Sequence, residues 1–555
     1  MVNKTASSGI ITLSIFVIVF FFLTFHPTHK STIGWSDPLP LYYHPEQYIV
    51  LRFDVDVNNG IINAAAAYHH QNEDGLLEYS SIYHIRQEPE SDIEVSRLSQ
   101  ENSPSEWPSV FRDLSGKLHF FWGERRQDPN FELWPDNRPQ SGIDLSTAIL
   151  HYMPDNEEYV EPTPVYSGNV GFDGRGSILF PVKMIEDSKD RLHVVFSADS
   201  VFDGGYTIKF PAYLKRNPEG QWQPSRFFAG GGHAPAIVSL VDERLITVFL
   251  GSDPNHESIN DVMAVYSYDG GNSWSDPELV FLSGDMPGWL LRIARAPDGR
   301  VHLLWGQAIH SPGFAAPDAI WHCFTDDGGK TWTEPELIFQ LSHASFRPPG
   351  APAPDQTLLH IFYTYEILTD SYGQLHLVGV ATRLFESGHY ETALYYSNWS
   401  PATGKWEDFS KLDFGNNPGW LSPAYDNETN ELYIFWADSL DPDQQALYYS
   451  RKTIIVNVAE PPRISPEHPL ILYSNYPNPF SSTTIIPFTL NFGGEVIFSV
   501  YDITGRKILS ENLGFKQPGH YEHHFIFNDQ NSGTFIYEIS LDGKVWRRKN
   551  MVYIK

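Results

Sequence analysis

A short apolar strand that recurs seven times constrains this chain more than any other feature. It reads Ile61-Ile62-Asn63-Ala64, Leu118-His119-Phe120-Phe121-Trp122, Leu192-His193-Val194-Val195-Phe196 and Leu245-Ile246-Thr247-Val248-Phe249. It returns as Val301-His302-Leu303-Leu304-Trp305, Leu375-His376-Leu377-Val378-Gly379 and Leu432-Tyr433-Ile434-Phe435-Trp436. The copies lie about 55 or 75 residues apart, a period of small repeated sheets. Each copy is apolar on both faces, as a strand must be when a sheet packs on either side of it. Histidines inside such strands are expected to be buried and hydrogen-bonded, because a metal site would need them to converge.

A second repeat sits on turns. Ser267-Tyr268-Asp269-Gly270-Gly271-Asn272-Ser273-Trp274 is followed by Thr325-Asp326-Asp327-Gly328-Gly329-Lys330-Thr331-Trp332, and each has a Pro-Glu-Leu at the same offset. The Asp should bond back to turn amides, the Gly should take a backbone conformation other residues resist, and the Trp should pack between sheets. Asp269, Gly271, Trp274, Asp327, Gly329 and Trp332 resemble the Asp box, or BNR repeat, of the sialidase (neuraminidase) superfamily. That resemblance implies a β-propeller, with the boxes between third and fourth strands, on the face away from the usual active site. The expected fold is all-β: a propeller of seven blades, with six the alternative, followed by a small immunoglobulin-like β-sandwich. Trp35-Ser36-Asp37-Pro38 repeats Trp274-Ser275-Asp276-Pro277 with no preceding blade to belong to. Residues 35–41 are therefore expected to close the ring as the outer strand of the last blade, beside Ala446–Ser450. A closing strand at Thr453–Val458 is the rival. Closure would remove exposed sheet edges.

The repeats stop near Glu460, where Pro461, Pro462, Pro466 and Pro469 read as a linker. Beyond it come Asn475-Tyr476-Pro477-Asn478-Pro479-Phe480, Val500-Tyr501-Asp502-Ile503-Thr504-Gly505-Arg506, Ser532-Gly533-Thr534-Phe535 and the terminal Arg548–Lys555. These motifs, in this order, resemble the sorting domain of type IX secretion, which implies passage across an outer membrane and contact with that machinery. At the other end an apolar run from Gly9 to Phe25 follows Lys4. It fits a signal peptide, or an uncleaved anchor, since no A-x-A site follows. The expected division is 1–30 export segment, 31–459 propeller, 460–470 linker and 471–555 sorting domain, giving a secreted or outer-surface protein.

The net charge of −30 falls entirely on the first 459 residues, since residues from 460 onward carry 9 basic and 9 acidic side chains. Such a surface repels nucleic acid. The single cysteine, Cys323, excludes an internal disulfide or a CxxC zinc site, and no cofactor or metal is expected. Candidate acids for glycoside chemistry are Glu124, Asp199, Asp253 and Asp438, on exits from second strands. Candidate ligand-binding residues are Arg112, Arg125, Arg126, Arg292 and Arg347, because a guanidinium pairs with a carboxylate in two bonds, together with Trp134. The longest irregular segment, Glu124 to Asp144, is the expected site. The ordinary reading of each single Arg or Asp is a surface salt bridge or turn bond, and Trp107, Trp289 and Trp420 open successive repeats. The sialidase Arg-Ile-Pro has its nearest counterpart in Arg292-Ile293-Ala294, so the resemblance transfers no catalytic triad. The expectation is a sialidase-like propeller acting on or binding a glycan, with a non-catalytic binding or adhesive propeller as the alternative.

Overall fold

The computed structural model describes residues 34–44, 49–71, 77–100, 105–126, 145–155, 162–171, 182–201, 207–228, 232–240, 243–252, 260–283, 288–309, 317–341, 357–385, 390–401, 403–412, 414, 418–441, 444–454, 470–472, 475, 478–490, 493–517, 519–527 and 532–554. All regular structure among them is β. The apolar run 9–25 and the linker lie outside the described residues.

Seven antiparallel sheets precede residue 454. In sheets 1 to 6 the strands lie side by side in chain order. Their first strands are Ile49–Asn58, Ser105–Arg112, Lys183–Glu186, His233–Ser239, Gly288–Arg295 and Thr357–Thr369. Sheet 7 begins with Leu421–Asp426, Glu431–Asp441 and Gln444–Thr453, and takes its fourth strand, Leu39–Tyr43, from the start of the chain. Each recurrent apolar segment is the second strand of its sheet.

Second strands are apolar on both faces because the cores lie between sheets. One buried cluster joins sheets 1 and 2 through Ala65, Ile82, Phe120 and Trp122, and others join each following pair. The cluster of Phe53, Val55, Leu41 and Phe435 joins sheet 7 back to sheet 1. First strands also touch in succession, and Leu421–Asp426 touches Ile49–Asn58. The order is propeller-like, with the first strands innermost around an axis.

Closure repeats the bonds of the turn that it copies. Ser275 N donates to Tyr266 O (2.8 Å), and Tyr266 N donates to Ser275 Oγ (3.1 Å). Ser36 N donates to Arg451 O (2.8 Å), and Arg451 N donates to Ser36 Oγ (3.1 Å). Trp274 packs on Tyr213 and Phe228 of sheet 3, just as Trp35 packs on Tyr396 and Phe414 beside sheet 6. The registered strand is Leu39–Tyr43, slightly later than residues 35–41, and Thr453 belongs to the third strand of sheet 7 rather than to a closing strand.

The Asp turns behave as their composition dictates. Asp269 Oδ1 accepts Ser273 N (2.8 Å) and its Oδ2 accepts Ser273 Oγ (2.6 Å), and Asp327 binds Thr331 in the same way. Gly271 has φ +78, and a Cβ there would meet Tyr213 Oη of the preceding sheet at 1.8 Å. Trp332 Nε1 reaches Tyr266 Oη at 3.2 Å. Each turn therefore clips its own sheet to the one before it.

The strand histidines are buried. His119, His193 and His376 each place Nε2 near an Asp six residues earlier (Asp113, Asp187, Asp370) and Nδ1 near a third-strand tyrosine (Tyr152, Tyr213, Tyr396). The same Asp accepts amides of the first hairpin turn, as Asp113 does from Ser115 and Lys117. One carboxylate thus sets the turn and the imidazole tautomer together.

After residue 470, a sheet of Leu470–Leu472, Thr483–Leu490 and Gly519–Ile526 faces one of Lys507–Lys516, Gly494–Asp502, Gly533–Leu541 and Lys544–Tyr553. Phe488, Phe498, Phe525, Tyr537 and Met551 fill the space between them. The tail motifs have structural roles here. Asn475 donates to Thr484 Oγ1, Asn478 accepts Val552 N, and Asp502 accepts Thr504 N and Arg506 N across the turn.

Candidate site in the central channel

A cavity of about 160 Å³ opens where first strands from five sheets converge. Arg52, Phe53 and Asp54 come from sheet 1, and Trp107, Pro108 and Ser109 from sheet 2. Lys183 comes from sheet 3, Glu366 and Ile367 from sheet 6, and Trp420 to Pro423 from the start of sheet 7. They meet because the first strands of successive sheets lie against one another.

A backbone irregularity aims one wall. The first strand of sheet 2 bulges between Glu106 and Ser109, and Trp107 there takes φ +55. Ala234 and Leu290 take the same left-handed conformation in the bulges of sheets 4 and 5. Such a bulge turns a side chain out of its strand's alternation. Trp107 meets Trp420 edge-to-face at 5.7 Å, and the Arg52 guanidinium lies against both rings, 4.5 Å from one centre and 4.4 Å from the other. Trp420 Nε1 donates to Phe53 O (3.1 Å).

The floor is ionic. Lys183 Nζ lies 3.4 Å from Glu366 Oε2, and Arg292 Nη2 lies 2.8 Å from Glu366 Oε1. Sheets 3 and 6 are not neighbours, so the Lys183–Glu366 pair crosses the axis and makes the cavity a cup. Burial opposes ionisation of Glu366, but Arg292 and Lys183 hold its carboxyl below the usual range. Asp54 goes the other way, since burial raises its carboxyl despite Lys183. It accepts Val55 N and Ser422 Oγ on Oδ1 (3.1 and 3.0 Å) and Val110 N on Oδ2 (3.1 Å). One carboxyl thereby ties sheets 7, 1 and 2 together.

The residues expected from sequence fall elsewhere or beyond description. Glu124 is buried on the second strand of sheet 2, 2.5 Å from His151 Nε2, with His151 stacked on Trp122. Arg112 is at the far end of that sheet, pairing with Asp56 at 2.6 Å, so Arg112 and Glu124 do not share a face. Arg292 reaches the channel, but through Glu366. Asp438 is buried, accepting Trp436 Nε1 at 3.4 Å. The side chains of Arg125, Arg126 and Asp199, and all of Trp134, Asp253 and Arg347, lie outside the described residues, as does 127–144. Of the three tryptophans that open repeats, Trp107 and Trp420 meet, while Trp289 lies against His233 (6.4 Å). Arg52, Asp54, Lys183 and Glu366, which line the cavity, were not among the expected residues. A charged side chain inside a first strand, as in Arg52-Phe53-Asp54-Val55-Asp56, is the signal that could have found them.

Residues 474–553 match the secretion system C-terminal sorting domain family. The chain therefore carries a type IX tail, which implies export to the outer surface or the medium and contact with that machinery. No curated protein matches the chain. Among solved structures, a protein of unknown function from Dyadobacter fermentans is 13% identical (TM-score 0.40), covering 64% of this chain and 96% of that one. An α-L-arabinanase of Penicillium chrysogenum complexed with arabinobiose is 9% identical (TM-score 0.41; 76% and 98% covered). Trypanosoma rangeli sialidase in complex with 2,3-difluorosialic acid is 10% identical (TM-score 0.37; 93% and 89% covered). At these values the likenesses assign no residue and no activity.

Proposed function

We propose that this chain is an exported seven-bladed β-propeller that binds glycans in its central cup and is delivered to the cell exterior by its C-terminal tail. The observation that carries the reading is the convergence, in one cavity, of two indoles with Arg52, Lys183, Asp54 and Glu366. Sugars are held by aromatic faces against their C–H groups and by fixed polar groups at their hydroxyls.

Binding without turnover fits best, since both carboxyls are committed to the protein: Asp54 to three donors, Glu366 to two cations. One observation favours hydrolysis instead. The two environments push Asp54 and Glu366 in opposite directions, as an acid and an ionised partner require. A glycan array run beside a panel of fluorogenic glycosides separates the readings. Binding without turnover is the expected result. Turnover that is lost in both Asp54→Asn and Glu366→Gln establishes the hydrolase. For export, removal of residues 470–555 should leave a folded propeller in the periplasm of a type IX host. Normal surface levels of the truncated chain would refute the role of the tail.

A further inference from the structure

Sheets 2, 3, 5 and 6 carry a histidine as the second residue of the second strand. In sheets 2, 3 and 6 that imidazole sits between an Asp six residues earlier and a third-strand tyrosine, at 2.7 to 3.2 Å. Sheet 5 keeps the histidine, His302, and changes both partners. Six residues earlier stands Ala296, and the third strand offers His322 in place of tyrosine. The turn itself is the same. Ala296 N donates to Arg300 O (2.8 Å), as Asp113 N does to Lys117 O (2.9 Å) and Asp370 N to Gln374 O (3.0 Å). The acid that this turn does contain, Asp298, is engaged with Arg300, whose N it accepts at 3.0 Å and whose Nε lies 3.6 Å away.

Trp406 of sheet 6 fixes where the protons lie. Its Nε1 donates across the seam to His322 Nδ1 (3.1 Å), so a neutral His322 carries its proton on Nε2. That N–H donates to His302 Nδ1 (3.0 Å), which leaves the His302 proton on Nε2. This last atom is buried with no hydrogen-bond partner among the described residues. An added proton therefore has two places to go. On His322 Nδ1 it removes the acceptor of the cross-seam bond. On His302 Nδ1 it sets two N–H groups against each other. The charged groups beside the pair are Arg300, which lies over Phe324 (5.5 Å) and Trp399 (5.6 Å), and the Asp298 bound to it. From sheet 6 the pair meets the indoles of Trp399 and Trp406. In sheets 2, 3 and 6 an Asp can answer an imidazolium in place, whereas here the nearest charge is a cation. Burial holds both imidazoles low, His322 at about 3.

We infer that acid parts the sheets first between sheets 5 and 6, with His302, His322 and Trp406 as the latch. Opening there lets both imidazoles take up protons with ordinary affinity, so it draws up to two protons below pH 6.5. Opening beside His193 exposes one imidazole and also loses its contact with Asp187. The same two sheets are tied at the channel by Arg292 and Glu366, so the latch and the floor of the cup belong to one interface.

The test is hydrogen exchange of the full chain from pH 7 to 5, with protection corrected for the intrinsic pH dependence of amide exchange. Segments 319–325 and 399–406 report the latch, and segments 192–196 and 212–214 report the seam between sheets 3 and 4. Protection at the latch should fall by up to about a hundredfold per pH unit below 6, the effect of two protons, against about tenfold at the other seam. Ala296→Asp supplies the missing carboxylate and should bring the latch to the tenfold class. His322→Gln can accept from Trp406 and donate to His302 through an amide that takes up no proton. It should do the same, and it serves alone if Ala296→Asp fails to fold. Equal slopes at the two seams, or a latch slope that neither variant changes, overturn the inference.

Discussion

At the scale of single residues, two glycines separate backbone strain from packing. Gly116 and Gly271 both have left-handed φ, +92 and +78. A Cβ on Gly116 would meet nothing within 4 Å, whereas one on Gly271 would meet Tyr213 Oη at 1.8 Å. Gly116→Ala should therefore cost only the conformational term, about 1–2 kcal/mol. Gly271→Ala adds displacement of Tyr213, whose hydroxyl is bound to His193 Nδ1 at 2.7 Å. Freeing that imidazole in a buried site should bring the total to roughly 3 kcal/mol or more. Chemical denaturation of the two variants checks the difference, and equal losses would mean that the Asp turn does not hold its neighbouring sheet.

At the scale of strands, Leu39–Tyr43 shows both what could be read and what could not. The pairing of the chain's first described strand with the last of the seven sheets was legible, because a tetrapeptide carries its own hydrogen-bond pattern wherever it is placed. Ser36 makes the bonds of Ser275 although the partners of Ser36 come more than 400 residues later. The Leu/Val-His strands were legible because period and apolarity are local properties. The site was not. Arg52, Trp107, Lys183, Glu366 and Trp420 lie on five sheets, and nothing in their local spacing records that they share an axis. Loop length drew attention to Glu124–Asp144 instead, and Glu124 proves to be a buried partner of His151. Closure itself predicts a loss. Trp35 is 6% exposed, against Tyr396 and Phe414. Trp35→Ala should cost about 3–5 kcal/mol, the range for truncating a buried indole. Thermal unfolding reads it out, and a melting temperature within error of the parent would show that the ring is held without its first strand.

At the scale of the whole molecule, the repeated burial of imidazoles makes stability depend on pH in a predictable direction. Burial is the first cause of lowering in each of His69, His84, His119, His193, His302 and His322, and it takes His69 and His84 to about 4 and His322 to about 3. An unfolded histidine titrates near 6.5. Between that value and the folded one, the unfolded chain binds more protons than the folded chain, so unfolding takes up protons and stability falls as pH falls. At pH 5 a histidine lowered to about 4 contributes a loss of about 2 kcal/mol. His69, His84 and His322 together should therefore remove several kcal/mol between pH 7 and 5. The charge of −30 opposes this only weakly in that window, because ordinary carboxylates take up few protons above pH 5. Asp54, Asp56 and Asp298, raised by burial, act in the opposite sense. Being protonated more readily in the folded chain, they add stability as the pH falls, whereas Asp113, Asp187, Asp269, Asp327, Asp502 and Glu366, whose carboxyls are held low, lose it. The loss due to the histidines should therefore fall between pH 6.5 and 5, and the carboxyls should act below that. Calorimetric melting at half-unit steps from pH 7.5 to 4 measures the slope. His322→Gln, which cannot take up the proton and keeps an acceptor for Trp406 Nε1 (3.1 Å in the parent), should flatten it. A melting temperature that holds or rises from pH 6.5 to 5 would mean that these imidazoles are charged in the folded chain, and that the Tyr–His–Asp and His302–His322 contacts are ionic rather than neutral.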